Sequence, residues 1–270
     1  WNKGRLESYL IEISEIVLGK DDPISGKPMV DLIVDKAGQK GTGKWSAIEA
    51  QNMGVPATGI EAAVAARSLS SFKAQREHAE KVLGLPKAEQ IKSVDRHQLI
   101  VDLELALLAG KIGAYAQGFA VMAEASKEFG WKLPMPEIAK IWRAGCIIRS
   151  QFLDDITSAF RAMPDADNLV ITPAFASLVK ETDGALRRVV SIAALNGLAV
   201  PALASALGYF DSHYPIAPST YRQALEGISL PVAGEIRALA AKAEPEREED
   251  FHEAMRALAN GPVADRLDAA

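Results

Sequence analysis

Residues 95–129 read DRHQLIVDLELALLAGKIGAYAQGFAVMAEASKEF, and Gly130-Trp131 closes the run. Leu99, Leu103, Leu107, Ile112 and Tyr115 lie inside it, and Gly110, Gly113 and Gly118 would permit close helix contacts. This stretch predicts one long helix of a kind that belongs in a core.

The flanking sequence has the same character. Leu6, Tyr9, Leu10, Ile13, Ile16 and Val17 recur at helical spacing, with Gly19 as a stop. Pro28 would open a short helix through Val34, and Trp45 to Met53 reads as another, ended by Gly54. A longer helix is expected after Val55-Pro56-Ala57-Thr58, running towards Leu83 with Gly84 as terminator. Its front half, Ile60 to Phe72, is apolar; Lys73, Arg76, Glu77, Glu80 and Lys81 carry its back half into solvent. Pro136 would open a helix through Arg161, and further helices are expected at Pro173–Leu186, Arg188–Leu195 and Pro201–Tyr209. Alternating strand patterns are nearly absent, so the fold class is all-α. Beyond His213 the texture changes: Pro215, Pro218 and Pro231 punctuate a looser segment, followed by a helical pattern near Glu235–Lys242. Glu244 to Asp250 reads as an acidic helix start. The organisation expected is a helical domain over residues 1–213 and a separate tail over 214–270.

The 270 residues carry a net charge of −5, with lysines and arginines scattered, which argues against a nucleic-acid partner. The lone Cys146 excludes an internal disulfide framework and fits a reducing, cytoplasmic setting. In Gly145-Cys146-Ile147-Ile148 it reads as a buried small hydrophobe rather than a nucleophile. The chain opens on Trp1 rather than Met, which reads as an excised boundary, and no secretory leader follows. Val189 to Phe210 is uncharged over 22 residues, but Asn196-Gly197 and Pro201 interrupt it. Two helices joined by a break account for it better than a membrane span.

Chemistry concentrates at Ala37-Gly38-Gln39-Lys40-Gly41-Thr42-Gly43-Lys44-Trp45. Three glycines in six positions allow a tight bend with consecutive N–H groups exposed, and two lysines and a threonine suit an anion. The nucleotide phosphate-loop pattern is complete except at its last position, where Trp45 replaces the Ser or Thr that would hold Mg²⁺. The strands that such a loop needs are also missing, and a dinucleotide fingerprint fails on spacing. Two readings remain: an anion cradle, or a surface loop with solubilising lysines. Arg67 lies in an apolar part of its helix, where a guanidinium calls for a carboxylate or an anionic ligand. No metal-ligand spacing occurs in the acidic run 244–250.

Several long motifs resemble one family. Glu7-Ser8-Tyr9-Leu10-Ile11-Glu12-Ile13 and Asp35-Lys36-Ala37 through Trp45 resemble the C-terminal domain of decarboxylating 6-phosphogluconate dehydrogenases. So do Ala66-Arg67-Ser68-Leu69-Ser70, Tyr115-Ala116-Gln117-Gly118-Phe119, Glu128-Phe129-Gly130-Trp131, Trp142-Arg143-Ala144-Gly145-Cys146 and Ala206-Leu207-Gly208-Tyr209-Phe210-Asp211. The resemblance covers residues 1–213, in order. It implies a domain that completes the pocket for 6-phosphogluconate and forms a homodimer, in an NADP-dependent, metal-free oxidative decarboxylation yielding ribulose 5-phosphate in the pentose phosphate pathway and gluconate utilisation. It also implies that Lys40, Gly41, Thr42 and Arg67 bind the substrate phosphate.

Two departures qualify this. The family's cofactor domain and its Lys-x-x-His-Asn-Gly-x-Glu-Tyr acid–base segment have no counterpart here, so no catalytic residue is assigned. This chain alone is expected to be silent and to hold no cofactor. The family's tail motif adds an arginine and a histidine to the partner's phosphate site; here Pro218 to Gly227 resembles only the approach to it. Gln223-Ala224 survives, Leu225-Glu226-Gly227 follows with neither the arginine nor the histidine, and Glu226 would repel a phosphate. His78, His97, His213 and His252 read as surface residues. The alternative is a non-catalytic helical scaffold that has lost its ligand.

Overall fold

In the computed structural model, which describes residues 1–84 and 95–213, the 33-residue helix α5 (Arg96–Glu128) is the element on which the others are arranged. Asp95 caps its start, its carboxylate accepting from the N–H groups of His97 and Gln98 at 2.9 and 3.4 Å. Ala106, Ala109, Ile112, Ala116 and Phe119 are buried along it. Against them pack α7 (Phe152–Ala162), α8 (Pro173–Leu195) and α9 (Pro201–Asp211), with Phe152, Ile156, Phe160, Phe175, Leu186 and Phe210 filling one continuous core. Of the three glycines expected at helix contacts, Gly110 meets that expectation: an added Cβ would come within 2.7 Å of Leu203 on α9. Around Gly118 nothing lies within 4 Å.

Five further α-helices complete the described set: α1 (Tyr9–Leu18), α2 (Thr42–Asn52), α3 (Thr58–Ser70), α4 (Lys73–Leu83) and α6 (Met135–Trp142), with 3-10 turns at Met29–Leu32 and Leu169–Ile171. Among the described residues there is no strand beyond two isolated bridges, Ser8 with Ser150 and Asp21 with Pro28. The fold is all-α. Residues 1–211 form one compact unit, and most of the remainder, including the patterns expected at 215–252, lies outside the described residues.

Several helix boundaries depart from the sequence pattern for physical reasons. The expected helix from 58 to 83 breaks at Ser71-Phe72. Ser68, Ser70 and Ser71 turn their hydroxyls onto the carbonyls of Val64, Arg67 and Ser68, at 2.9, 2.7 and 2.7 Å, and compete with the helix ladder. The helix expected from Pro136 to Arg161 is two, because Gly145 takes φ +78 in the connection. Conversely α8 runs through Arg187 without a break. Arg187 is held by Asp183 and by Asp211 of α9, and Arg188 reaches α5. The helix expected at Pro28–Val34 shrinks to a single 3-10 turn, with Ile33 and Val34 exposed. The uncharged stretch 189–210 is the end of α8, a break and α9; no described helix is long and apolar enough to cross a membrane.

Two buried polar side chains lock α5 to its neighbours. Asp102, 2 % exposed, accepts from Nε and Nη2 of Arg188 at 2.7 Å each, fixing α8. Gln117, fully buried, accepts from the Gly59 N–H at 3.0 Å, and its amide nitrogen lies 3.3 Å from the Thr58 hydroxyl, fixing the start of α3.

Asp102→Asn keeps the shape of that side chain while removing the charge clasped by Arg188. Denaturant unfolding at pH 7 should show a loss of about 1–3 kcal/mol. Hydrogen bonds from Arg188 hold the Asp102 carboxyl below its ordinary range. Its contribution is therefore full above the unfolded carboxyl value and is lost as pH falls through the lower folded value. The gap between wild type and variant should close between about pH 5 and pH 2; a gap constant across that range excludes this role.

Candidate functional site

Gly41 sets the geometry of the glycine-rich loop. It adopts φ +104, in the left-handed region, and sits at the N-cap of α2, where its carbonyl accepts from the Trp45 N–H at 2.9 Å. The helix thus starts at Thr42, three residues earlier than the sequence suggests, and Thr42, Gly43 and Lys44 form its first turn. Their N–H groups have no acceptor among the described residues, as expected at a helix start whose cap has no side chain. The positive end of the helix dipole and the ammonium groups of Lys40 and Lys44 therefore occupy the same few residues. Lys40 and Thr42 are exposed and Gly41 is half-buried.

A second helix anchors this loop. Ser68 and Ser70 follow Arg67 on α3, one and three residues on, and each holds a loop residue: Nε2 of Gln39 donates to Ser68 Oγ at 2.5 Å, and the Ala37 N–H donates to Ser70 Oγ at 3.0 Å. The Ser70 hydroxyl donates in turn to the carbonyl of Arg67 at 2.7 Å. The neighbours of Lys40 and of Arg67 are thus joined across 29 residues of sequence. Close approach of α2 to α3 completes the arrangement, since a Cβ on Gly43 would lie 3.2 Å from Val64 Cγ2.

Arg67 itself is exposed and forms no ion pair with a described residue. Its apolar sequence context does not translate into burial, because α3 has no buried residue and turns this position to solvent. The guanidinium is therefore not held by a structural carboxylate within the described residues. Lys40, Gly41, Thr42 and Arg67 lie on segments tied together through Gln39–Ser68 and Ala37–Ser70, and their chemistry is of a kind that suits an oxyanion.

Sequence reasoning missed the loop's supports. Asp35, at the loop's start, accepts from Lys73 Nζ at 2.5 Å and Arg76 Nη1 at 2.8 Å, both from α4. These bonds hold the Asp35 carboxyl far below its ordinary range and raise that of the Lys73 ammonium. The back half expected to finish in solvent thus returns to the loop. The polar Ser-x-Ser directly after Arg67 was the available signal; Asp35 and Arg76, 41 residues apart, offered none.

Ser46 of α2 also lines an apolar groove of ≈ 540 Å³ that continues past Leu10, Ile60, Leu107 and Tyr115 to Ser150. Within it Lys111 Nζ donates to Ser150 Oγ at 2.5 Å and lies 4.8 Å from the Phe152 ring centroid. Burial pushes the Lys111 ammonium down to about 8, against a smaller opposing pull from Asp155. Cys146 is half-buried, its Sγ 3.1 Å from the carbonyl of Trp142. His78, His97 and His213 are exposed, and among the described residues no group of three or more His, Cys, Asp or Glu could hold a metal ion.

Residues 1–224 match the family model described as 6-phosphogluconate dehydrogenase, C-terminal domain. The Saccharomyces cerevisiae 6-phosphogluconate dehydrogenase, decarboxylating 2, is 48% identical over 213 residues, covering 79% of this chain and 43% of the yeast protein. The NADP(+)-dependent, decarboxylating 6-phosphogluconate dehydrogenase of Bacillus subtilis is 46% identical, covering 79% and 45%. Among solved structures, Plasmodium falciparum 6-phosphogluconate dehydrogenase, described in apo form and in complexes with NADP+ and with its substrate 6-phosphogluconate, superposes with a TM-score of 0.77. It is 38% identical, with 80% of this chain and 46% of that chain covered. The chain spans under half the length of these relatives.

Glycine replacements separate the two conformations in the loop. Gly41→Ala places a Cβ at positive φ and should cost about 1–2 kcal/mol in thermal or chemical unfolding. Gly38→Ala meets nothing within 4 Å and should stay within about 0.5 kcal/mol of wild type. Equal effects of the two would contradict the left-handed cap.

Proposed function

The chain belongs to the 6-phosphogluconate dehydrogenase family by its C-terminal domain, and from that premise we propose that it binds the substrate phosphate and dimerises in an NADP-dependent, decarboxylating 6-phosphogluconate dehydrogenase. Residues 1–213 act as the helical domain and 214–270 as a divergent tail. The observation that carries this reading is the tethering of the glycine-rich loop to Ser68 and Ser70, one and three residues beyond Arg67 on α3. It brings a point charge, a hydroxyl, helix-start N–H groups and a planar guanidinium to adjoining segments, which is the donor set that a phosphomonoester dianion needs.

In this proposal Lys40, Gly41, Thr42 and Arg67 clamp the phosphate of 6-phosphogluconate and so orient the sugar acid for oxidation and loss of CO₂ elsewhere in the assembled enzyme. In this reading the residues of this chain carry no step that passes through the cofactor. The reading gives the 270-residue chain alone no catalytic residue and no turnover. Exposed Ile16, Leu18, Ile141, Ile147 and Leu195 support a homodimer, because apolar side chains of that size are better covered than hydrated. The single cysteine supports a cytoplasmic setting. A second reading, a helical scaffold without ligand, is favoured by one sequence observation, Glu226 in the tail.

Calorimetric titration with 6-phosphogluconate distinguishes the two. Binding is expected, and Lys40→Ala or Arg67→Ala should each weaken it about ten- to a hundredfold. No heat at millimolar ligand would favour the scaffold. With NADP+ and 6-phosphogluconate added, absorbance of NADPH should stay at background; turnover by this chain would refute the silent-domain reading.

A further inference from the structure

We propose that Arg76 is a positioning residue for the phosphate cradle, latching the start of the glycine-rich loop to the end of the helix that carries Arg67. This rests on the phosphate reading of that site. The geometry is that of a single planar fork bridging two segments. Nη2 donates to the backbone carbonyls of Asp35 at 2.8 Å and Ser70 at 3.0 Å, while Nη1 donates to Asp35 Oδ2 at 2.8 Å. Asp35 begins the loop, and Ser70 ends α3, three residues beyond Arg67.

Arg76 does this without touching the ligand. Its remaining nitrogen, Nε, is buried without a partner, and both terminal nitrogens already hold protein acceptors, although the side chain is only part-buried. Lys73 takes the other oxygen of Asp35 and also pairs with Glu77 at 3.3 Å. Two cations and two carboxylates cancel within this cluster, which therefore adds little field at the cradle. The positive potential comes from Lys40, Lys44 and Arg67; the cluster contributes fixity. A loop with Gly38, Gly41 and Gly43 is otherwise costly to order. Each residue that orders only on binding weakens affinity several-fold, and two such residues weaken it about a hundredfold. Lysine could not replace the fork, because a single ammonium on a flexible stem does not span both carbonyls and the carboxylate in one plane.

The test uses the 270-residue chain with two readouts: hydrogen exchange of the amides from Ala37 to Thr42, and calorimetric affinity for 6-phosphogluconate and for inorganic phosphate. Arg76→Lys keeps the charge. It should raise exchange in the loop at least about tenfold and weaken 6-phosphogluconate about tenfold, with α5 protection unchanged. A purely electrostatic role predicts wild-type affinity for Arg76→Lys and a loss only for Arg76→Ala, and that result overturns the proposal. Ser70→Ala removes the hydroxyl that accepts from the Ala37 N–H and donates to the Arg67 carbonyl, a second tie between the same two segments, and is the fallback should Arg76→Lys fail to fold. It should speed exchange at Ala37 and weaken both ligands; unchanged exchange and affinity would overturn the latch. If the wild-type chain binds neither ligand, the phosphate reading fails and the positioning role fails with it. If wild type binds and the variants match it, the latch alone fails.

Discussion

Ala106, Ala109, Ile112, Ala116 and Phe119 leave α5 with apolar surface on more than one side, and water cannot be excluded from it by a single neighbour. Packing α7, α8 and α9 around it answers that demand, and the two polar groups drawn inside, Asp102 and Gln117, convert loose burial into defined placement. Gln117 matters most for the site. Its amide faces the first residues of α3, so the helix bearing Arg67, Ser68 and Ser70 takes its position from the core. An unmet Gly59 N–H there would cost about 1–3 kcal/mol, a sizeable share of a domain's net stability.

Placement passes outward by short polar steps. Core to α3 is one buried amide; α3 to loop is two serine hydroxyls; loop to α4 is Asp35. None of the outer contacts is buried deeply, and exposed ion pairs individually contribute little. Their effect is cumulative and geometric, because each restrains a different residue of one short loop.

Much of this was legible in the sequence. The run 95–129, the glycine stop of α1, and the break at Asn196-Gly197 follow local rules that the structure obeys. The failures share one cause, competition by partners remote in sequence or by side chains bonding to their own backbone. Arg187-Arg188 resembled a helix boundary until Asp211 and Asp102 supplied partners from other helices. Three serines ended α3 where apolar spacing alone would have continued it. At the site, the loop could be recognised from glycine and lysine, while the exposure of Arg67 depended on which side of α3 meets its neighbours.

Asp35 and the left-handed cap at Gly41 lie on one side of residues 42–75 in the gene, and Arg76, which clasps Asp35, lies on the other. A crossover between related genes within that interval would unite a loop from one parent with a clasp from another. Such recombinants keep this clasp only where both parents already share the acid and the arginine. Inheritance of this loop is therefore tied to a codon 41 positions downstream, and the pair should travel as a single unit when the domain diverges.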